Sequence, residues 1–427
     1  MIHDQTIIHP LALLITILAG VYILFSSRKN AYIALVFVGI FISLQQRIVI
    51  LGLDFSMLRI LILFGLTRGI LKSEFKSIKL NSIDKILLLW VSCTVIIYSI
   101  LWDSYSAFIN RLGMSVDVLG LYFFMRAMLR DVEDIKRILK AFLIVGILLS
   151  ISMTFEWFTS KNLFSTFGGV PEFTLMRDGR LRCQGPFQHP ILAGSFGASL
   201  FPIALSFWWV NRRGKVLPIL GCISATIITA TSSSSGPAIT YIAGLLGLSM
   251  WFLKNKMRII RYGIFFTIIA LHIVMKAPVW GLIQRVGVFA GSTSYHRYHL
   301  IDQFIRRIDE WWLLGTQSTA NWDEFGGLWD VTNHYIQIAK DGGLLSLILF
   351  IILISLCFKT IGQAWKVEDD KNIQILYWAI GASLFSHVVS FMGVSYFDQI
   401  IVLWFAIICI ISTIYNITNN NIALSQT

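Results

Sequence analysis

Three stretches of the chain carry the side chains best suited to chemistry. In VTNHYIQIAKDGGLLSLILF (331–350), His334 stands between Asn333 and Tyr335, ahead of Gly342, Gly343 and an apolar run that opens at Leu344. Histidine gives or takes a proton near neutral pH; a helix start near Thr332 would aim Asn333 and His334 at a membrane interface, and a helix-capping histidine is the structural alternative. In DGRLRCQGPFQHPILAGSFGASLFP (178–202), Arg180, Arg182, Gln188 and His189 crowd the mouth of another apolar run. Arginine forks match phosphate oxygens, so the cluster suits an anionic headgroup such as a diphosphate; ordinary lipid phosphates, Asp178 or Glu172 are the competing partners. In STSYHRYHLIDQFIRRIDEWWLLG (292–315), a cap at Ser294 opens an amphipathic helix. With Arg297 at 0° and about 100° per residue, Ile301, Phe304 and Ile308 fall within about 40° of it, and Arg306 lies opposite. An arginine on an apolar face must snorkel, pair with an acid or meet an anion, because an unpaired buried charge is costly.

The elements that must position these residues are membrane helices. Of 427 residues, 56% are hydrophobic and 14% charged, with a mean hydropathy of +0.72, whereas soluble domains carry about a quarter charged residues. Apolar runs fall near 10–26, 31–46, 57–71, 86–102, 113–127, 138–157, 190–210, 216–232, 236–253, 259–275, 344–358, 373–392 and 398–416. Runs of about 15–22 residues suit helices crossing a core of about 30 Å. Alternating strands of the outer-membrane barrel kind are absent. The expected fold is all-α, a polytopic membrane bundle of about 12–14 transmembrane helices with a large helical external loop.

The net charge of +12 does not point to nucleic acid, because the basic residues sit in short clusters between apolar runs, as orientation signals do. Alternating the connections puts most of the 35 lysines and arginines on one side, which is then cytoplasmic together with the C-terminus. The two long connections, 158–189 and 276–343, face outward. This organises the chain as an N-terminal transmembrane bundle (1–275), an external cap (276–343) and C-terminal transmembrane helices with a tail (344–427). No basic segment precedes the first apolar run, so a cleaved signal peptide is not expected.

Arg59, Asp117, His387 and Asp398 are ionisable groups in or near apolar runs, each a functional candidate because charge is expensive in lipid. Cys93, Cys222, Cys357 and Cys409 fall inside apolar runs and Cys183 stands in a polar loop, so neither a disulfide framework nor a cysteine metal site is expected. The EDD at 368–370 reads as a solvated charge run, and no metal or cofactor motif is recognised.

The order RCQGPFQHPILAGSF, then HRYHLIDQFIRRIDEWWLLGTQ, then NHYIQIAKDGGLLSLILF resembles the O-antigen ligase and polymerase superfamily of bacterial membrane glycosyltransferases. The chain departs from the family at TSSSSGPAITY, where Gly236 and Pro237 replace a Ser-Arg pair opening a middle span, and at Gly315-Thr316-Gln317, where Gly-x-Gly is usual. The resemblance implies transfer of a glycan from undecaprenyl diphosphate to a hydroxyl at the outer face of the bacterial inner membrane, with inversion and without metal or other cofactor. It implies Arg182 and Arg297 as diphosphate ligands, with Arg180 and Arg285 in reserve. His334 would be the base or orienting group, and Asn333, Tyr335 and His189 would support the acceptor. The partners implied are the lipid-linked donor, membrane lipids, a chain-length regulator, and as acceptor either a second lipid-linked repeat, which is preferred, or lipid A core. A transporter or flippase, which commonly shows related halves, and a non-catalytic scaffold are the readings of another class.

Overall fold

In hydrocarbon every backbone N–H and C=O must be satisfied within its own segment, so apolar runs become helices. The computed structural model describes residues 6–50, 52–211, 214–283, 293–323 and 326–425. Its helices are α1 (Pro10–Phe25), α2 (Arg28–Phe41), α3 (Met57–Leu71), α4 (Ser82–Trp102), α5 (Tyr105–Met128), α6 (Val132–Thr159), α7 (Pro190–Val210), α8 (Val216–Thr231), α9 (Ser235–Ser249), α10 (Met257–Val274), α11 (Thr293–Arg306), α12 (His334–Val367), α13 (Lys371–Ser390) and α14 (Ile400–Ser425). The protein is an all-α, multi-pass membrane bundle. Among the described residues eight helical stretches are long and apolar enough to cross a membrane, counting 235–274 as one, and α1 and α8 are shorter apolar helices.

Every expected run carries a helix, but two differ in form. The run at 31–46 stops early: α2 ends at Phe41, and the chain enters an antiparallel hairpin, β1 (Arg47–Ile50) with β2 (Leu53–Ser56), braced by Arg47 on Asp54 at 2.9 Å. The run at 344–358 belongs to a longer helix, α12, which already begins at His334 and is broken at Gly342 and Gly343. The break has a cause. Gly343 has φ +64°, and a Cβ there would lie 2.5 Å from the Leu313 carbonyl oxygen, as one on Gly315 would lie 2.1 Å from that of Lys340. The segment 312–316 thus docks main chain to main chain into the break, with Leu344 N–H donating to Trp312 O at 2.8 Å and Thr316 N–H to Lys340 O at 2.9 Å.

Small residues set the tightest packing. On α7, a Cβ on Gly197 would meet Ile228 at 2.8 Å and one on Gly194 would meet Ser232 at 2.3 Å, so α8 and the start of α9 approach as membrane helices with small interfaces do. Helix α14 is apolar all round and central, with Ile400 and Val402 through Ile411 buried. Helix α10 is also largely apolar, yet none of its residues is buried, so in a bilayer it faces lipid.

The connections collect at two ends. At the basic end Arg28 meets Asp134 at 2.6 Å, Arg68 meets Glu74 at 2.9 Å, and Asn81 donates to Ser412 Oγ at 2.8 Å. At the other end Gln46 donates to Phe167 O at 2.6 Å and Gln399 to Pro186 O at 2.7 Å. That end also carries a second hairpin, β3 (Leu175–Arg177) with β4 (Arg180–Arg182), and a small capping core of Leu300, Trp311, Trp322, Leu328, Ile336 and Ala339. Cys183, expected in a polar loop, is fully buried there.

Candidate anion site at the end of the bundle

Helix α9 begins uncapped: Ser234 occupies the N-cap position without a side-chain bond to the first turn, and Pro237 follows close behind. The leading N–H groups of such a helix lack intrahelical acceptors and form its positive end. Two arginines arrive at this point from outside the helix. Arg182, at the end of β4, donates through Nη2 to Ser234 Oγ at 2.7 Å. Arg297 reaches in from α11 and lies over bare backbone. Its Nη2 is 3.7 Å from where a Cβ on Gly236 would stand, and its Cζ is 3.6 Å from the corresponding point on Gly393. The start of α9 is therefore roofed by an arginine from the cap.

Both guanidinium groups are short of partners. The Nε atoms of Arg182 and Arg297 are buried without a hydrogen bond, and among the described residues neither side chain forms an ion pair. Burial, joined at Arg182 by the like charge of Arg177, disfavours the charged form of each. Arginine does not deprotonate in proteins, so both groups stay charged. Two fixed cations and an open helix N-terminus make a strong place for phosphate oxygens.

His334 is linked to this site through the connection between α13 and α14. Its backbone N–H donates to Phe391 O at 2.8 Å and its ring packs on Phe391 at 4.7 Å between centroids; Gly393, two residues on, carries Arg297. Nδ1 of His334 accepts the N–H of Tyr396 at 3.2 Å. A neutral ring with Nδ1 accepting carries its proton on Nε2, so the half-buried imidazole presents a donor. The cap of α12 is Asn333, whose Oδ1 accepts from Tyr335 and Ile336 N–H at 3.0 and 3.2 Å; His334 is the first helical residue and caps nothing. Tyr335 is tied down, its hydroxyl donating to Val388 O at 3.0 Å.

The other expected residues divide. His189 caps α7 through Nδ1, which accepts from Ile191 N–H at 3.2 Å; burial, then Arg182 and Arg177, lower its pKa to about 4, so it is neutral. Arg180 is exposed on the β3–β4 hairpin and makes no ion pair among the described residues. Arg285 lies outside the described residues. Arg59 and Asp117 form a two-pronged ion pair at 2.8 and 2.6 Å, a brace between α3 and α5. On α11 the inward face holds Arg297, Leu300, Ile301 and Phe304, but the helix ends at Arg306, so Ile308 leaves the stripe and is 50% exposed. Trp311 fills that place, stacked on Phe304 at 4.0 Å. Arg306 points away, paired with Asp302 at 2.7 Å. Ser294 lies inside α11, so it is not the cap.

Nothing in the sequence points to Tyr396, which gives its backbone N–H to His334, or to Gly236 and Gly393, which act by having no side chain. Asp398 does more than its position suggested: one buried carboxylate oxygen accepts from Gln188 N–H at 2.7 Å and the other has no partner, and burial raises its pKa to about 7. Among the described residues no group of three or more histidines, cysteines, aspartates and glutamates is arranged to hold a metal ion. No protein-family model, curated protein or solved structure matches this chain.

Proposed function

We propose that this protein is a glycosyltransferase that polymerises undecaprenyl-diphosphate-linked glycan repeats at the periplasmic face of the bacterial inner membrane. The observation that carries the reading is the pair of guanidinium groups, Arg182 and Arg297, that meet no counter-ion among the described residues at the uncapped start of α9. As the sugar C1–O bond breaks, its electron pair passes to the diphosphate. Donors already fixed at that oxygen stabilise the new charge without reorganising. The acceptor oxygen attacks C1 from the opposite side, inverting it, and its proton passes to the departing diphosphate. His334, with Nδ1 occupied, serves better to orient the acceptor hydroxyl through Nε2–H than to remove its proton. Positive charge comes from the arginines, so turnover is independent of metal.

The test is purified protein in lipid nanodiscs supplied with an undecaprenyl-diphosphate-linked repeat. Growth of a glycan ladder that survives EDTA is expected. Transfer only when lipid A core is added would make the protein a ligase, and loss in EDTA restored by magnesium would overturn the metal-free mechanism. Failure to consume the donor with either acceptor would sink the enzyme reading in favour of transport or scaffolding. The orientation is checked separately with Trp329→Cys, at a 72% exposed cap position, which should react with an impermeant thiol reagent in spheroplasts.

A further inference from the structure

The segment that offers its N–H to His334 has no regular secondary structure: 391–399 joins α13 to α14 as turns and extended chain, with Asp398 at φ +65°. Its direction is therefore set by side-chain ties. Ser395 Oγ donates to Val331 O at 2.5 Å, Asp398 accepts from Gln188, and the Tyr396 hydroxyl meets His387 Nδ1 at 2.7 Å. The last tie lies deepest. His387 is wholly buried in α13, against Trp404 at 5.5 Å, and its Nε2 has no hydrogen-bond partner. Ser390 and Ser199 also approach the Tyr396 hydroxyl. An imidazole with an orphaned nitrogen is a poor choice for packing inside a membrane helix; leucine would fill the space without that cost. What leucine lacks is a partner for Tyr396.

We propose that His387 and the Tyr396 hydroxyl are a positioning pair, which holds the 396 N–H on His334 Nδ1 and so keeps the His334 proton on Nε2, facing the acceptor. The pair acts through the backbone and touches no substrate. Its kinetic consequence rests on the transferase reading above, whereas its effect on the His334 ring does not.

The decisive measurements are therefore paired. Ring nitrogen-15 resonances of His334, assigned by their loss in His334→Asn, should report protonated Nε2 in the parent protein and a mixture of tautomers in Tyr396→Phe. In the donor-consumption assay, Tyr396→Phe and His387→Gln should lower kcat about tenfold with KM changed less than about twofold. His387→Asn, which puts a polar atom where Nδ1 stood, should recover to within about threefold of the parent, while glutamine, which mimics Nε2, should not. Thermal midpoints identify variants that fail to fold, and Tyr396→Phe, losing a single oxygen, remains as the mildest probe. Unchanged nitrogen resonances in Tyr396→Phe, or equal rescue by glutamine and asparagine, would overturn the positioning role. If the parent consumes no donor, the enzyme reading falls and the resonances still decide the pair.

Discussion

Arg68 and Arg297 are both withdrawn from water, and the protein houses them in opposite ways. At the basic end Arg68 sets Nε and Nη2 at 2.9 Å from the two oxygens of Glu74 and gives Nη1 to the carbonyls of Ile23 and Ser26 at 2.5 and 2.8 Å. Asp84 nearby accepts from the Tyr122 hydroxyl at 2.5 Å and from Ser412 and the Asn81 N–H at 2.8 Å, with Arg126 at 3.5 Å. Charge there is matched within the chain, and it ties α1, α3, α4, α5 and α14 together. Arg297 has two glycines beneath it and a buried, unbonded Nε. A charge that stabilises folding is given its counter-ion by the fold; a charge left unmatched destabilises the empty protein and is suited to a ligand that comes and goes.

The contrast is broken or sharpened by substitution. Arg68→Met strands Glu74 in a buried site and should cost about 3–5 kcal/mol of stability in detergent unfolding, with turnover per folded molecule unchanged. Arg297→Gln should leave the unfolding midpoint level or higher while kcat/KM falls about 10²–10³-fold. Arg297→Lys should rescue little, because an ammonium cannot form the fork. A loss of stability in Arg297→Gln as large as in Arg68→Met would erase the distinction. For His334, glutamine can place a donor near Nε2 and asparagine cannot, so His334→Asn should lose about 10²–10⁴-fold in rate and His334→Gln about tenfold less than that. Equal losses would remove the donor role.

The smallest effect is in pH. Asp398, raised from its ordinary value of 3.8 to about 7, stabilises the fold below about pH 4, and that contribution is lost as pH rises toward 7. His189, lowered from 6.5 to about 4, contributes above about pH 6.5 and loses that contribution as pH falls through 4. The two slopes oppose each other across this window. Asp398→Asn should unmask a thermal midpoint that climbs with pH, and His189→Asn, which keeps a helix cap, one that declines. Parallel profiles in both variants would show that neither group governs the window.

Much of the bundle was legible from hydropathy. The bounds of α3 and α7 coincide with the apolar runs, because Ser56 caps the first and Pro190 fixes the start of the second. The hairpin at 47–56 was not legible, since its apolar residues merge with the neighbouring runs. The helix start expected near Thr332 falls at the Asn333 cap, but its continuation through the double glycine into the apolar run was not legible, because Gly342 and Gly343 mark a break within α12 rather than its end. In the site, the charged and aromatic members were visible by type, but their meeting was not. Arg180 and Arg182 are spaced to share a strand face, yet only Arg182 bonds at the start of α9, because Arg180 lies at the exposed end of the hairpin beside Gly179. What joins Arg297 to His334 is Phe391–Gly393, a turn whose role depends on a carbonyl and a missing side chain.

The docking of 312–316 into the break of α12 has a mechanical consequence. Because the joint is made by Trp312 O, Lys340 O and the N–H groups of Leu344 and Thr316, it behaves as a mortise cut in the main chain. Torque on the cap passes directly into α12 instead of being absorbed by side-chain rotation. The roof carrying Arg297 can be recut on its outer surface, residue by residue, without changing the angle at which it is mounted.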